Sequence, residues 1–284
     1  MAKYKIPEEG IYDARPLGKG RMFLLGFQHM FAMFGATVLV PILTGLDVST
    51  TLLFAGLGTL LFHLITGGKV PAFLGSSFAF LGGYAAVAPM LGEFQDQPNL
   101  EMLPYACFGV LCAGLMYVIL AALFKAFGAS KVMRFFPPIV TGPIIIAIGL
   151  NLSSSAINNC SKNWWVAIVA IAIIVACNIW GKGMVKIIPI LLGVIGSYIF
   201  AVIIDPSVRA NVAQNVHDAE WLALPIHMEH TVIGLFMRDD LDGHLLLTSV
   251  VTIVPLSLAT MVEHIGDVSA ISSTCNRNYI ENPG

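Results

Sequence analysis

Residues 245–273 read LLLTSVVTIVPLSLATMVEHIGDVSAISS, an apolar run that carries one carboxylate at Glu263 and a second at Asp267. A helix needs about 20 mostly apolar residues to cross the hydrocarbon core of a membrane. A span that ends at Val262 leaves Glu263 at the cytoplasmic surface, whereas a span nearer Val251–Ser273 puts Glu263 at mid-membrane. Ionisable groups within a membrane segment are costly unless they face protein or water. Glu263 is therefore a candidate functional residue.

The whole chain has the composition of a polytopic membrane protein. Of its 284 residues 57% are hydrophobic and 11% are charged, whereas a soluble domain carries about 25% charged residues. The net charge of −2 predicts no nucleic-acid partner. The five cysteines lack the paired spacing of a zinc site, so neither a zinc site nor a disulfide framework is expected. No cofactor is expected either. A membrane-embedded hydrolase using Glu263 and His264 is the enzyme alternative, but no hydrolase motif accompanies this pair, and a transporter is favoured.

Eight segments are predicted to cross the membrane, and the flanking charges orient them. With the N-terminus inside, 12 of the 15 Lys and Arg residues are cytoplasmic, as the positive-inside rule requires. This arrangement predicts a multi-pass protein of the cell inner (plasma) membrane, with a cytoplasmic tail at 1–20 and an extracytoplasmic loop at 205–243. The predicted spans are 21–44, 49–66, 71–90, 102–124, 135–151, 163–180, 185–204 and about 245–273.

The third of these segments is a poor continuous helix. Residues 69–83 contain Pro71, three glycines and two serines. Irregular backbone at membrane depth is tolerated only where it is buried in protein or lines a polar cavity. We therefore predict an extended stretch at Phe73–Phe78 with amides available to a ligand. The alternative is a tightly packed helix whose small residues approach a neighbour.

Two acids on one face of the eighth segment indicate proton chemistry. Glu263 and Asp267 are one helical turn apart on the same helix face. Burial and like charge both favour the protonated form of such groups. Broken helices in two inverted halves are typical of secondary transporters, and Gln28-His29 in the first segment is matched by Glu263-His264 in the eighth.

Three separated stretches, taken in order, resemble the nucleobase-ascorbate (nucleobase/cation symporter-2) transporter family. They are Gln28–Pro41, Pro71–Phe80 and Glu263–Gly266. Within that family the chain is most similar to the bacterial uracil and uracil-xanthine permeases. The resemblance runs from about residue 15 to the end, and it implies proton-driven uptake of a nucleobase.

The resemblance implies an all-α fold of fourteen segments in two inverted repeats of seven, with a core domain and a gate domain. By the same resemblance, uracil is expected between two short antiparallel strands, from segments three and ten. In this chain, residues 21–134 correspond to core segments 1–4 and residues 135–204 to gate segments 5–7. Residues 244–284 correspond to core segment 8 and a cytoplasmic end.

The resemblance also implies a set of site residues. Glu263 matches the carboxylate that hydrogen-bonds the uracil ring, and Phe78 matches the residue whose backbone amide meets a ring carbonyl. Ala36 lines the pocket and Ser77 belongs to its polar shell, which completes the substrate-binding set. The supporting and proton-coupling residues are Asp267, His29 and His264.

Two departures from the family pattern bear on function. Asp267 occupies a position where uracil carriers often have histidine, as in purine-type members, so a xanthine or uric acid permease is an alternative. The sequence also ends at Gly284, where family members continue for six more segments. We therefore expect an N-terminal fragment of a transporter that forms a homodimer when full length, with a non-transporting membrane partner as the alternative.

Overall fold

The computed structural model describes residues 15–92, 97–186, 188–219 and 224–281, and these residues are predominantly helical. Within those ranges no strand is assigned, and one isolated antiparallel bridge joins Leu91 to Gln97. Short 3-10 turns connect several of the helices. The α-helices are α1 (Lys19–Thr44), α2 (Val48–Ile65), α3 (Leu81–Val87), α4 (Leu103–Phe127), α5 (Ala129–Val132), α6 (Pro138–Ser161), α7 (Trp164–Trp180), α8 (Pro189–Ile204), α9 (Pro206–Asp218), α10 (Val232–Phe236), α11 (Gly243–Ile253) and α12 (Ser257–Cys275).

Several of these helices are long and apolar enough to cross a membrane. Among the described residues four qualify by length and composition, or five if the bent pair α8 and α9 counts as one span. The four are α2, α4, residues Gly142–Ser161 of α6, and α11 with α12 taken together over Gly243–Cys275. The chain is a polytopic membrane protein, while the eight-span count and the repeat architecture stay predictions.

The chain forms two compact units. The first takes its described residues from 11–35 and 150–224, and the second from 36–149 and 225–284. In the first unit α7 packs along α8. Gly193 and Gly196 of α8 allow this approach, because a Cβ atom at either position would collide with Ile174 or Ile173.

The second unit is built around α4, which packs against α3, α11 and α12. Glycines at two contacts let the helices approach closely, as small residues do in membrane proteins. A Cβ atom at Gly83 would lie 2.8 Å from Leu256 Cδ1, and one at Gly109 would lie 2.8 Å from the carbonyl oxygen of Ser249. The buried core of this unit comprises Tyr84, Ala88, Leu103, Ala106, Ala113 and Ile253.

The predicted extracytoplasmic loop at 205–243 contains helices that the sequence analysis did not predict. Asp205 accepts a hydrogen bond from the amide of Ser207 at 2.9 Å and caps α9, whose first residue is Pro206. The chain bends by 111° between α8 and α9. Proline at the first helical position and an aspartate cap before it are strong helix-start signals, so α9 begins as soon as α8 ends.

Within the second unit, hydrogen bonds join the turn between α1 and α2 to His227 of the 205–243 segment. The carboxylate of Asp47 caps α2 by accepting from the amide of Thr50 at 2.7 Å, and its Oδ1 lies 3.2 Å from Nδ1 of His227. The amide of His227 donates to the hydroxyl of Thr50 at 3.1 Å. Partial burial opposes ionisation of Asp47, but hydrogen bonds from Thr50, Ser49 and His227 outweigh it and hold the pKa of Asp47 well below its usual range.

Candidate functional site

The third predicted segment is broken in the structure. Residues 71–77 have no regular secondary structure, a 3-10 turn follows at Phe78–Phe80, and α3 begins at Leu81. The prediction of irregular backbone is confirmed, and the alternative of a packed helix is wrong for residues 71–77. Ser77 has extended backbone angles, with φ −100° and ψ 132°.

The short strand expected in this segment is not formed in the structure. A strand is defined by pairing with a second backbone, whereas Leu74 of the broken segment pairs with a side chain. The Leu74 amide donates to the hydroxyl of Thr59 at 3.1 Å, and the same hydroxyl donates to the Leu74 carbonyl at 3.1 Å. The segment is therefore extended without belonging to a sheet.

The helix that carries the carboxylate continues well beyond Val262. α12 runs without interruption from Ser257 to Cys275, and Glu263 lies in its second turn. The prediction that the small residues after Glu263 extend the helix is thus confirmed. A break before α12 was not predicted: residues Val254–Leu256 form a 3-10 turn that contains Pro255, because proline has no N–H to continue an α-helical ladder.

A hydrogen bond joins the broken segment to the carboxylate. The Ser77 hydroxyl donates to Oε2 of Glu263 at 2.8 Å, and its oxygen accepts from the amide of Ala79 at 3.3 Å. Both Ser77 and Glu263 are half-buried. A hydrogen bond to a charged group contributes about 1.5–3 kcal/mol, so this contact fixes the two predicted site elements against each other.

A second contact positions the same turn of α12 against α4. The Tyr117 hydroxyl donates to the hydroxyl of Thr260 at 3.0 Å. The ring of Tyr117 lies edge-on to that of His264, with centroids 5.8 Å apart and an interplanar angle of 63°. Tyr117 lies near the middle of α4, fourteen residues after Leu103 and ten before Phe127.

As far as the structure describes them, the remaining predicted site residues make no hydrogen bond to the Glu263 carboxylate. Within the described residues the amide of Phe78 donates no hydrogen bond, and its side chain is half-buried. Asp267 is exposed, one turn after Glu263. The side chain of Ala36 lies outside the part of the chain that the structure describes. His29 is exposed on α1 in the first unit, and its role beside Glu263 stays a prediction.

Sequence reasoning missed the hydroxyl residues that hold the site together. The motifs and patterns of the sequence single out none of the three, which are Thr59, Tyr117 and Thr260. Their signal in the sequence is weak, because a threonine hydroxyl in a helix usually bonds to a carbonyl of its own helix. Thr59 does so as well, donating to the carbonyl of Ala55 at 2.8 Å. Among the described residues no group of three or more His, Cys, Asp or Glu side chains could hold a metal ion.

Comparison with known proteins decides the family. A family model described as "Permease family" matches residues 20–284, which includes all three stretches that carry the resemblance. The chain belongs to the nucleobase-ascorbate transporter family. In this chain the Ser77–Glu263 hydrogen bond joins two of the three stretches that carry the resemblance.

Several curated permeases are similar to this family member. The uracil permease of Bacillus subtilis (strain 168) is 37% identical over 273 residues, which cover 90% of this chain and 57% of the relative. A putative pyrimidine permease of Escherichia coli (strain K12) is 33% identical, with 90% and 55% covered. The uracil permease of the same strain is 31% identical, with 92% and 57% covered. The chain spans a little over half the length of these relatives.

Proposed function

We propose that the complete gene product is a secondary active transporter that carries a nucleobase, uracil in the first place, across the plasma membrane together with a proton. It uses no cofactor and catalyses no covalent reaction. Membership of a permease family and similarity to proteins named uracil permeases support this proposal. The observation that carries it is the hydrogen bond between Ser77 and Glu263.

That hydrogen bond supports a ligand site because it puts complementary groups side by side. Glu263 offers a carboxylate acceptor, and the neighbouring Phe78 offers an amide that donates no bond among the described residues. Uracil has ring N–H donors and carbonyl acceptors in one plane. A carboxylate and a backbone amide at the end of an extended segment suit both kinds of group, so we assign substrate binding to Glu263, Phe78, Ser77 and, by resemblance, Ala36.

The depth of Glu263 also supports transport. Its neighbours Thr260 and His264 contact Tyr117, which lies two residues from the midpoint of α4. At 1.5 Å per residue, Tyr117 is about 3 Å from the centre of that 25-residue helix. A carboxylate at this level is near mid-membrane when α4 spans the bilayer, which is where secondary transporters bind their substrates.

Uptake of labelled uracil by cells that express the complete gene product tests the role of Glu263. We expect Glu263→Gln to lower uptake at sub-saturating uracil at least tenfold, because one charge-assisted hydrogen bond contributes about 1.5–3 kcal/mol. Glu229→Gln is the matched control, since Glu229 is an exposed carboxylate in the loop that is predicted to be extracytoplasmic. Wild-type uptake by Glu263→Gln, with equal membrane expression, contradicts the assignment.

The identity of the base and of the coupling ion needs separate measurements. Asp267, one turn from Glu263, matches the purine-type members, so xanthine and uric acid are the competing substrates. An excess of unlabelled uracil should suppress uptake of labelled uracil more strongly than xanthine or uric acid does. Asp267 and His264 are assigned to proton coupling, with His29 in support, so a protonophore should abolish accumulation and sodium removal should not.

Two further assignments concern the assembly. The full-length protein is proposed to form a homodimer, which size-exclusion chromatography with light scattering tests directly. The competing function is a membrane protein that binds partners without transport. That alternative predicts no uracil-dependent rise in the unfolding temperature of the purified complete gene product, whereas a uracil carrier is stabilised by its substrate.

A further inference from the structure

The hydroxyl of Thr59 makes an unusual pair of contacts with the broken segment. It accepts the hydrogen bond of the Leu74 amide and donates toward the Leu74 carbonyl, each at 3.1 Å. One side chain thereby serves both backbone groups of a single residue. In an antiparallel sheet the same two groups would exchange hydrogen bonds with one residue of a neighbouring strand, so Thr59 stands in for a strand partner.

The chemistry of the hydroxyl permits this arrangement. A threonine hydroxyl has one proton to donate and two lone pairs to accept with. The carbonyl oxygens of Ala55 at 2.8 Å and Leu74 at 3.1 Å both lie within reach of its one proton, and its oxygen accepts from the Leu74 amide. Serine has the same groups, whereas valine has the shape of threonine and neither group.

The location of Thr59 makes these contacts necessary. It lies in α2, eleven residues after Val48 and six before Ile65, so its level is about 9 Å from the nearer helix end at 1.5 Å per residue. At that depth in a membrane, water does not replace a missing hydrogen bond, and an unsatisfied backbone group costs several kcal/mol. The Leu74 amide therefore depends on Thr59 for its hydrogen bond, while the Leu74 carbonyl competes with that of Ala55 for the single hydroxyl proton.

Leu74 is also close to the proposed substrate site along the chain. Ser77, which donates to Glu263, comes three residues later, and the Phe78 amide follows immediately. The broken segment is held at two points, by Thr59 at Leu74 and by Glu263 at Ser77. Only Gly75 and Ser76 lie between them, so the position of the first point limits where the Phe78 amide can lie.

We propose that Thr59 is a positioning residue for nucleobase binding: its hydroxyl fixes the backbone of Leu74 and thereby sets the place of the Phe78 amide. This inference rests on the proposed function for its effect on uptake. Its structural part, the fixing of residues 71–77, does not depend on which substrate is carried.

Uptake kinetics of the complete gene product test the first part. We expect Thr59→Val to raise KM for uracil roughly tenfold, the effect of about 1.4 kcal/mol in binding, with kcat within about twofold of wild type. Thr59→Ser should restore the wild-type KM. Thr51→Val is the matched control, because the Thr51 hydroxyl also donates to a carbonyl of its own helix region, that of Asp47 at 2.7 Å, and contacts no other segment through the bonds described.

Hydrogen exchange of the purified complete gene product tests the structural part without any substrate. We expect the peptide that covers residues 70–80 to exchange roughly tenfold faster in Thr59→Val than in wild type, for the loss of one backbone hydrogen bond of about 1.4 kcal/mol. Thr59→Ser and Thr51→Val should leave this peptide unchanged.

The two measurements separate the possible failures. Unchanged exchange in Thr59→Val, or a Thr51→Val variant that exchanges equally fast, overturns the positioning role. Faster exchange with an unchanged KM overturns the link to binding. If wild-type protein takes up no nucleobase while exchange responds as expected, the proposed function fails and Thr59 remains the residue that fixes the broken segment.

Discussion

The close approach of α4 and α11 makes a sharp prediction about Gly109. A Cβ atom there would lie 2.8 Å from the carbonyl oxygen of Ser249 and 2.9 Å from Cδ1 of Ile253. The first obstacle is backbone, so Gly109→Ala forces the helices apart by several tenths of an ångström. Overpacking of this kind costs about 1–3 kcal/mol, and the better helix propensity of alanine returns at most about 1 kcal/mol. The net expectation is a destabilisation of about 1–2 kcal/mol.

The matched control for this prediction is Gly114→Ala in the same helix. Gly114 is exposed, and apart from its chain neighbours and the backbone of its own helix no atom of the described residues lies within 4 Å of a Cβ placed there. Its replacement should be neutral or stabilising by up to about 1 kcal/mol, because only helix propensity changes.

Thermal unfolding of the detergent-purified complete gene product, followed by intrinsic fluorescence, distinguishes the two variants. We expect the midpoint of Gly109→Ala to fall below that of wild type by about 2–8 °C, from the usual 2–4 °C per kcal/mol for domains of this size. The midpoint of Gly114→Ala should be equal to or above that of wild type. Equal midpoints for the two variants would refute the packing argument, since each variant adds one methyl group to the same helix.

Two further predictions concern side chains at the edges of the site and of the second unit. Tyr117→Phe removes the hydrogen bond to Thr260 but keeps the ring against His264, so we expect a stability loss of about 1 kcal/mol and a modest rise in KM for uracil. Tyr117→Ala should lower stability and raise KM much more strongly. Identical uptake by the two variants contradicts a role for the ring contact between Tyr117 and His264. Asp47 has a depressed pKa in the folded protein, so its stabilisation is present above the ordinary carboxyl value of 3.8 and is lost as the pH falls below it. The unfolding midpoint of wild type should therefore exceed that of Asp47→Asn at pH 6, and the difference should be smaller at pH 3, where its loss has begun. A constant difference across this range argues against the capping role.

Much of the candidate site could be predicted from the sequence, because two of its signals are strong. Proline, glycine and serine at residues 71–77 are incompatible with a continuous membrane helix, and the structure is irregular there. The carboxylate of Glu263 is too costly in an apolar helix without a partner, and Ser77 is that partner. Both signals are local, so no knowledge of the fold was needed to find them.

The parts that the sequence did not predict depend on which helix faces which. Thr59 and Tyr117 make their hydrogen bonds to other segments only because α2 lies against the broken segment and α4 lies against α12. Helix facing is set by packing of small residues such as Gly109, and an apolar helix surrounded by lipid shows little periodicity to reveal it. The short strand was expected from resemblance alone, and a side chain takes the place of its partner here.

The hydrogen bond between Ser77 and Glu263 also has a consequence for biosynthesis. It joins residues 186 positions apart, while the contact between Thr59 and Leu74 joins residues only 15 apart. At synthesis rates of 5–20 residues per second, the ribosome reaches Leu74 roughly 1–3 s after Thr59, but reaches Glu263 roughly 10–40 s after Ser77. Thr59 is thus available to hydrogen-bond with Leu74 throughout the interval before Glu263 is synthesised.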